Sequence, residues 1–295
     1  MKRLPLPAIG FTNLAPKLGL VCILTACFGW WGLWSVKAQE VLPSPAEEVN
    51  QASEIQVQPP LNDQISDLRQ QYRVELEKYR GLERQSAIAN GQYQQLRTLV
   101  SLEAAVNTLQ KTMLSRSKVL DLYFTLLRLE LVNATGTEVT VKEQLLNRLD
   151  QALVMLAQHQ ADVEKASDRT ALDAISLSFA KQSEGLESLA YLTQAQLTTS
   201  KLQTVYDKVQ VTKEDVKNQT ATQSSIIQQS VKDRAFAETD RNLGEVKAQL
   251  ATLQATIKTS DNFSRSTYSN FLKDTDPIYA GLAQSISFLN ELTNI

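Results

Sequence analysis

Cysteine and histidine are scarce in this sequence, and each shortage narrows the chemistry open to the chain. Both cysteines, Cys22 and Cys27, lie near the N-terminus, so the rest of the chain forms no disulfide and no thiolate metal site. His159 is the single histidine, which excludes metal sites built from several histidines of one chain. We therefore expect no metal ion and no other cofactor.

Proline is absent from a run of 216 residues, 61–276, although the whole chain has eight prolines. Proteins built from strands usually carry prolines in their loops, whereas a proline-free run of this length is typical of long helices. The sequence therefore predicts an all-α fold.

Acidic residues are missing from residues 1–38, which contain four of the 30 basic residues. The rest of the chain carries 26 basic and 32 acidic residues, a net charge of −6. Because a nucleic-acid-binding protein needs a basic face, we expect no nucleic-acid partner.

Motifs for catalysis and phosphate binding are also missing. The ten glycines are dispersed and form no phosphate loop, dinucleotide-binding pattern or serine-hydrolase elbow. His159 lies at the edge of an apolar helical face, where we interpret it as a half-buried packing residue. Tyr72, Tyr79 and Tyr93 share another face, and we expect packing there in preference to a ligand groove. The sequence thus predicts that the protein is not an enzyme.

An export signal is indicated at the N-terminus, where basic residues precede an uncharged apolar segment from Leu18 to Val36. This segment is longer than the roughly 7 to 15 apolar residues of a signal peptide and close to the about 20 that span a membrane. Cleavage between Ala38 and Gln39 and retention as a membrane anchor are therefore both open. In either case the positive charges hold the N-terminus in the cytoplasm and place the residues after 38 outside.

Two further features of the segment bear on its fate. Trp30, Trp31 and Trp34 cluster where the outer aromatic belt of a membrane helix would lie, which favours an anchor. Residues 24–27 resemble a bacterial lipobox with Cys27 as the lipidated residue, although the aromatic stretch that follows is unlike the expected polar tether. The alternatives agree that the body is exported, either secreted or held at the extracytoplasmic face of the membrane.

Three regions are predicted along the chain. Residues 1–38 are the signal peptide or anchor, residues 39–61 are a linker rich in proline and acidic residues, and residues 62–295 are a helical body. The body is expected to be organised around residues 119–132, whose apolar side chains fall on more than one helical face and so need partners on two sides. Gly136 is predicted to stop that helix.

Two long heptad patterns lie on either side of this central helix. The first runs through residues 65–100 and includes Leu96 and Val100, with Glu75 as a polar member; the second runs through residues 236–257. We expect both to pair within the chain, because short connections close at a low entropy cost. The predicted fold is an elongated bundle of antiparallel helical hairpins with coiled-coil character and a monomeric body.

Capping signals predict the remaining helix boundaries. Ser101 is expected to cap the second helix after a break at 98–101, and Thr140 with Glu143 to open a third. Thr170 with Asp173 is expected to open a short fourth helix, followed by a step at 183–185. Thr212 with Asp215 marks a break or bend, and Asp276 with Pro277 opens the last helix. A stretch rich in Gln, Thr and Ser, 218–230, is the least committed to structure and is left for a partner.

Residues 18–295 resemble exported all-helical proteins of poorly characterised bacteria, a group without one assigned function and without a specific family motif here. The resemblance implies a bacterial source. We expect a scaffold or interaction protein of the cell envelope, exported or membrane-tethered, with an unidentified protein partner and with the membrane as a partner if residues 18–36 are retained. The alternative is an extracytoplasmic ligand-sensing bundle that acts through a separate chain. N-x-[ST] tripeptides that matter only in a glycosylating host occur at Asn133, Asn218 and Asn262.

Overall fold

The computed structural model describes residues 60–220, 226–260 and 262–293. Within these ranges the chain is all-helical, with six α-helices and no strand, as predicted. The helices are α1 (Leu61–Leu96), α2 (Leu99–Asn133), α3 (Val139–Lys165), α4 (Arg169–Thr220), α5 (Ile226–Thr259) and α6 (Arg265–Thr293). None of these described helices combines the length and apolar character that crossing a membrane requires.

Helices α1 and α2 pack along each other in opposite directions. Arg69 of α1 forms a 2.7 Å salt bridge with Glu130 near the end of α2, and the Thr112 hydroxyl donates a 3.1 Å hydrogen bond to the Leu82 carbonyl further along. Helix α3 returns along α2. We call α1, α2, α3 and the first part of α4, up to residue 185, the N-terminal group.

Helix α4 is the longest helix of the described chain, with 52 residues. It packs against α2 and α3 and, further along, against α5 and α6. It runs without a break through Gly185 and Thr212, so the predicted step at 183–185 is wrong, and of the two alternatives at Thr212, a break or a bend, the break is wrong. A helical glycine costs only about 1 kcal/mol relative to alanine, and most of the residues that follow Gly185, from Leu186 to Leu202, are buried. We call the end of α4 from residue 203, with α5 and α6, the C-terminal group.

Between these groups lies a part of α4, residues 186–202, that we call the shared segment. Its buried residues fall on every face of the helix, because α2 covers one side and the α5–α6 turn with α6 covers another. Gln194 is hydrogen-bonded to Tyr123 of α2, whereas Tyr191 stacks on Tyr268 of α6 with 5.1 Å between ring centroids. The buried members are Leu186, Ser188, Leu189, Ala190, Tyr191, Leu192, Thr193, Ala195, Gln196, Leu197, Thr199, Ser200 and Leu202.

The central helix predicted at residues 119–132 is confirmed as a buried part of α2. Its buried side chains also lie on more than one face; they are Val119, Leu120, Leu122, Tyr123, Phe124, Leu126, Leu127 and Leu131. The centre of the fold is therefore the contact between this stretch and the shared segment. The burial of the shared segment was not predicted, because its serine and threonine residues are of a type usually found on a helix surface.

The two predicted heptad patterns differ in outcome. In α5 the predicted seam is buried at Leu243, Val246, Leu250, Leu253 and Ile257. In α1 the seam holds from Ile65 to Ala89, but Leu96 and Val100 are 64% and 77% exposed, so their predicted burial is wrong. The α1 pattern therefore continues past the point where partners cover it.

A break between α1 and α2 is present as predicted, but it lies at residues 97–98, and Ser101, predicted to cap α2, is the third residue of that helix. Thr98 is the N-cap: its side-chain oxygen accepts a 3.2 Å hydrogen bond from the Ser101 amide, and the Ser101 hydroxyl oxygen accepts one of 3.1 Å from the Thr98 amide. Arg97 ends α1 in the left-handed region with φ 49°. The turn is therefore two residues long and closed at both ends.

Three other predicted boundaries are wrong. Helix α3 follows Glu138, to which the Thr140 hydroxyl donates, so the Thr140 with Glu143 capping box does not form. Asp168, and not Thr170, caps α4 by accepting a 2.9 Å hydrogen bond from the Ala171 amide. The third, at Asp276 and Pro277, lies inside α6. Pro277 is tolerated because it lies on an exposed face, where water reaches the carbonyl that loses its amide partner.

Gly136 does not stop α2, which ends three residues earlier and has no left-handed cap. Its role is to allow close approach. A Cβ atom placed on Gly136 would lie 2.4 Å from the Ser200 carbonyl oxygen in the shared segment. The loop after α2 can therefore lie against α4 only because residue 136 has no side chain.

Candidate functional site

The site residues predicted from the sequence lie outside the described residues. They are the apolar segment from Leu18 to Val36 with Trp30, Trp31 and Trp34, the cleavage position between Ala38 and Gln39, and the lipidation candidate Cys27. Their roles stay predictions. The same holds for the linker, apart from its last residues, and for part of the 218–230 stretch.

The most elaborate polar cluster of the described body forms where four helices meet. Tyr79 comes from α1, Arg116 from α2, His159 from α3 and Phe179 from α4. Two groups pack on the Phe179 ring: the Arg116 guanidinium carbon lies 4.6 Å from its centroid, and the His159 ring stacks at 4.4 Å between centroids. The Tyr79 hydroxyl donates a 3.1 Å hydrogen bond to Glu83.

Burial dominates the electrostatics of this cluster. Burial and then the Arg116 charge hold the pKa of His159 down at about 4, although Asp162 opposes them. Burial also lowers the pKa of Arg116, against the attraction of Tyr79 and Glu83. Burial and the neighbouring Glu83 raise the pKa of Tyr79 to about 12. At neutral pH the cluster therefore holds a neutral imidazole, a neutral phenol and one cation.

The geometry of the cluster is that of interior packing. His159 is buried and its Nε2 atom has no hydrogen-bond partner, as is also true of the Arg116 Nε atom. An imidazole enclosed in this way offers its nitrogen to no substrate, and the stack joins α2, α3 and α4 at one level. His159 is thus more deeply buried than the half-buried position expected from the sequence.

Arg116 is the member that sequence reasoning missed. The apolar seam of α2 passes from Met113 to Leu120, and Arg116 fills the intervening position, three residues after the first and four before the second. A cation at a seam position is the signal that could have found it. Glu75, the polar member predicted in the α1 seam, is buried. It accepts a 2.8 Å hydrogen bond from the Ser115 hydroxyl.

The three tyrosines of α1 pack in the seam. Tyr72 and Tyr79 are buried, and Tyr72 lies 6.0 Å from the Tyr123 ring. Tyr93 is half-buried under the Arg169 guanidinium, 5.3 Å from its ring centroid. These contacts agree with packing as their role.

Two open grooves lie elsewhere on the described surface. One groove, of about 450 Å³, is lined by Thr135 and Gly136 of the α2–α3 loop and by residues of α4 that include Lys208 and Val211. The other, of about 550 Å³, lies between the start of α3 and the end of α5 and contains the exposed Arg148 and the Lys258–Glu138 salt bridge of 2.5 Å.

No group of three or more His, Cys, Asp or Glu side chains in the described ranges is placed to hold a metal ion. A scan against models of protein families finds no match to the chain. Searches of curated proteins and of solved structures find no match either.

Proposed function

We propose that the protein is a non-enzymatic scaffold or interaction protein of the cell envelope, exported through its N-terminal segment and either secreted or tethered to the membrane by it. The sequence order supports this: a basic, apolar N-terminus precedes an acidic, proline-rich linker and then a helical body. The body is proposed to be an elongated bundle of antiparallel helical hairpins with coiled-coil character.

The observation that carries the scaffold proposal is the continuity of α4. At about 1.5 Å per residue, a helix of 52 residues extends roughly 78 Å. Its beginning is joined to α2 and α3, and its end to α5, where Lys213 forms a 2.8 Å salt bridge with Asp240. One rod thus carries two helix groups, which is an arrangement suited to holding partners at fixed separation.

Export is tested by fusing alkaline phosphatase, which is active only outside the cytoplasm, to the C-terminus of the full chain in a bacterial host. We expect enzymatic activity for the full chain and none for a matched fusion that lacks residues 1–38. Equal activity of the two fusions, or none from either, would contradict export through this segment.

The proposed state of the body is monomeric. Its support is that both heptad seams find partners within the chain: α1 packs on α2, and α5 packs on α4 and α6. Light scattering of the full chain in detergent, corrected for the bound detergent, should give the mass of one chain. A dimer that dissociates only on unfolding would contradict the proposal.

The alternative function, an extracytoplasmic ligand-sensing bundle acting through a separate chain, is favoured by the 550 Å³ groove, where Arg148 lies near the Lys258–Glu138 salt bridge. Because that salt bridge is neutral overall, Arg148 gives the groove a net positive charge, which suits a small anion. Thermal unfolding with and without millimolar small dicarboxylates tests it; a rise of several degrees that Arg148→Gln abolishes would favour sensing over the scaffold.

A further inference from the structure

We propose that the turn between α1 and α2 inserts into a lipid surface through Leu96, Leu99 and Val100, with Arg97 at the level of anionic headgroups. We call these four residues the tip. This site is separate from the predicted N-terminal segment and goes beyond the proposed function, because it does not depend on whether residues 18–36 are cleaved.

The tip concentrates exposed aliphatic side chains. Leu96, Leu99 and Val100 are 64%, 80% and 77% exposed, and they lie within five consecutive residues. Other strongly exposed aliphatic residues of the described body, such as Val154 and Val211, stand singly on helix surfaces. Single exposed apolar residues are ordinary, whereas a cluster at a protruding turn marks a contact surface.

The local backbone holds the tip in one shape. The Arg97 amide donates a 2.9 Å hydrogen bond to the Tyr93 carbonyl and so closes α1. Thr98 and Ser101 close the start of α2 through their reciprocal capping hydrogen bonds. The three aliphatic side chains are therefore presented on a rigid two-residue turn, and little conformational entropy is lost when they enter another phase.

Size argues for lipid over protein as the occupant. A stable protein interface buries roughly 800 Å² on each partner, whereas three aliphatic side chains offer at most a few hundred. A lipid surface needs no such area, because each side chain that leaves water contributes by itself. Weak, reversible insertion is what a surface of this size can give.

Charge argues for an anionic lipid surface. Arg97 is the only charged residue between positions 85 and 102, in a chain whose residues from 39 onward carry net −6. The body as a whole is therefore repelled by anionic headgroups, whereas the tip presents one cation and no acid. A cation beside aliphatic side chains matches the interface between headgroups and acyl chains.

The test uses the full chain with Cys22→Ser and Cys27→Ser, reconstituted into phosphatidylcholine vesicles containing phosphatidylglycerol and a lipid-borne quencher. Gln95→Cys carries a polarity-sensitive dye beside the tip, and Val154→Cys carries it on α3. We expect a blue shift and several-fold stronger quenching at position 95 than at position 154. Equal quenching at the two positions would overturn the proposal.

A matched pair of variants assigns the effect to the tip. The triple variant Leu96→Ser, Leu99→Ser, Val100→Ser should remove most of the quenching at position 95. The control Val154→Ser, Leu177→Ser, Val211→Ser alters three other exposed aliphatic residues and should leave the quenching unchanged. Circular dichroism confirms that both remain folded, as exposed substitutions should. If the tip variant were quenched like the parent, lipid insertion would be disproved.

Two further experiments isolate the contribution of the Arg97 charge and test the other candidate occupant. Arg97→Gln should weaken quenching in vesicles with phosphatidylglycerol and have little effect in pure phosphatidylcholine. A second copy of the chain is the other candidate occupant. Energy transfer between dyes at position 95 of different copies in detergent solution without vesicles would show contact between tips and would overturn insertion as their role.

Discussion

The N-terminal and C-terminal groups both bury large side chains and polar side chains, but they bond the polar ones differently. In the N-terminal group the buried Ser115 hydroxyl of α2 donates a 2.8 Å hydrogen bond to the buried Glu75 of α1 and so joins two helices. The C-terminal group buries Lys232, Thr239, Asn242, Thr275 and Ser285 along its seams.

The buried hydroxyls of the C-terminal group bond to their own helices. Thr239 donates to the Ala235 carbonyl at 2.8 Å and Ser285 to the Gly281 carbonyl at 2.9 Å. Such bonds satisfy the hydroxyl but join no two helices, and the amide nitrogen of Asn242 has no partner. Burial of a side chain alone therefore does not hold helices together. We expect the C-terminal group to unfold locally more readily than the N-terminal group.

The largest expected effect comes from Leu127→Asp in the N-terminal group. Leu127 is 3% exposed, so an unpaired carboxylate there should cost several kcal/mol out of the roughly 5 to 15 typical of a domain. Thermal unfolding followed by circular dichroism measures it. The control Val154→Asp, at a 70% exposed position, should change stability by less than about 0.5 kcal/mol. An unchanged melting temperature for Leu127→Asp would contradict the packing described for α2.

A smaller effect is expected when alanine replaces Gly136 or Gly281, the two glycines at which a Cβ atom would meet a close neighbour. Gly136→Ala places a Cβ 2.4 Å from a backbone oxygen, whereas Gly281→Ala places one 2.7 Å from a Val246 methyl group. Backbone moves less easily than the end of a side chain, so Gly136→Ala should lose about 1–3 kcal/mol and Gly281→Ala less.

Gly244 is the matched control for both glycines, because nothing lies within 4 Å of a Cβ at that helical position. Gly244→Ala should gain up to about 1 kcal/mol from helix propensity. Denaturant unfolding of the three variants gives the order. If Gly281→Ala were the most damaging, the rigidity ascribed to the Ser200 backbone relative to the Val246 side chain would be wrong.

Acid should act on the N-terminal group through His159, since the C-terminal group has no histidine. Folding lowers the pKa of His159 from 6.5 to about 4, so its contribution to stability is complete above pH 6.5 and is lost as the pH falls towards 4. Between pH 7 and 4 the melting temperature of the parent should therefore fall further than that of His159→Phe. Parallel curves would show that His159 does not titrate in this range.

The smallest effects are expected from one salt bridge in each group. Glu130→Gln removes a partner of Arg69 whose side chain is 17% exposed, whereas Asp240→Asn removes a partner of Lys213 that is 60% exposed. Both should lose less than about 1 kcal/mol, and the more exposed Asp240 should matter less. The denaturant midpoints of the two variants give the order of the two losses in stability. Added salt should make both losses smaller. The reverse order would mean that side-chain exposure does not govern these pairs.

Local patterns predicted what local forces determine. The break near residue 98 followed from side chains that cap their neighbours, and the α5 seam followed from heptad spacing. Two predictions failed because the local signal was too weak to end a helix: Gly185 and Pro277 lie at exposed positions inside helices. A third failed because of a distant contact, since Gly136 lies against Ser200, 64 residues further on. The Arg116–Phe179–His159 stack joins three separate helices, so no single stretch of sequence shows it.

The length of α4 also has a consequence for the order of events during synthesis. The N-terminal partners of the shared segment are made before it, but Phe263, whose amide donates to the Ser188 hydroxyl, comes 75 residues later. At about 5–20 residues per second, one face of the shared segment waits roughly 4–15 seconds for its cover. Tyr191 lies on that uncovered face, as do neighbours that are buried in the finished fold. The nascent chain thus carries a transient sticky surface, which makes this interval the time when a chaperone would be needed most.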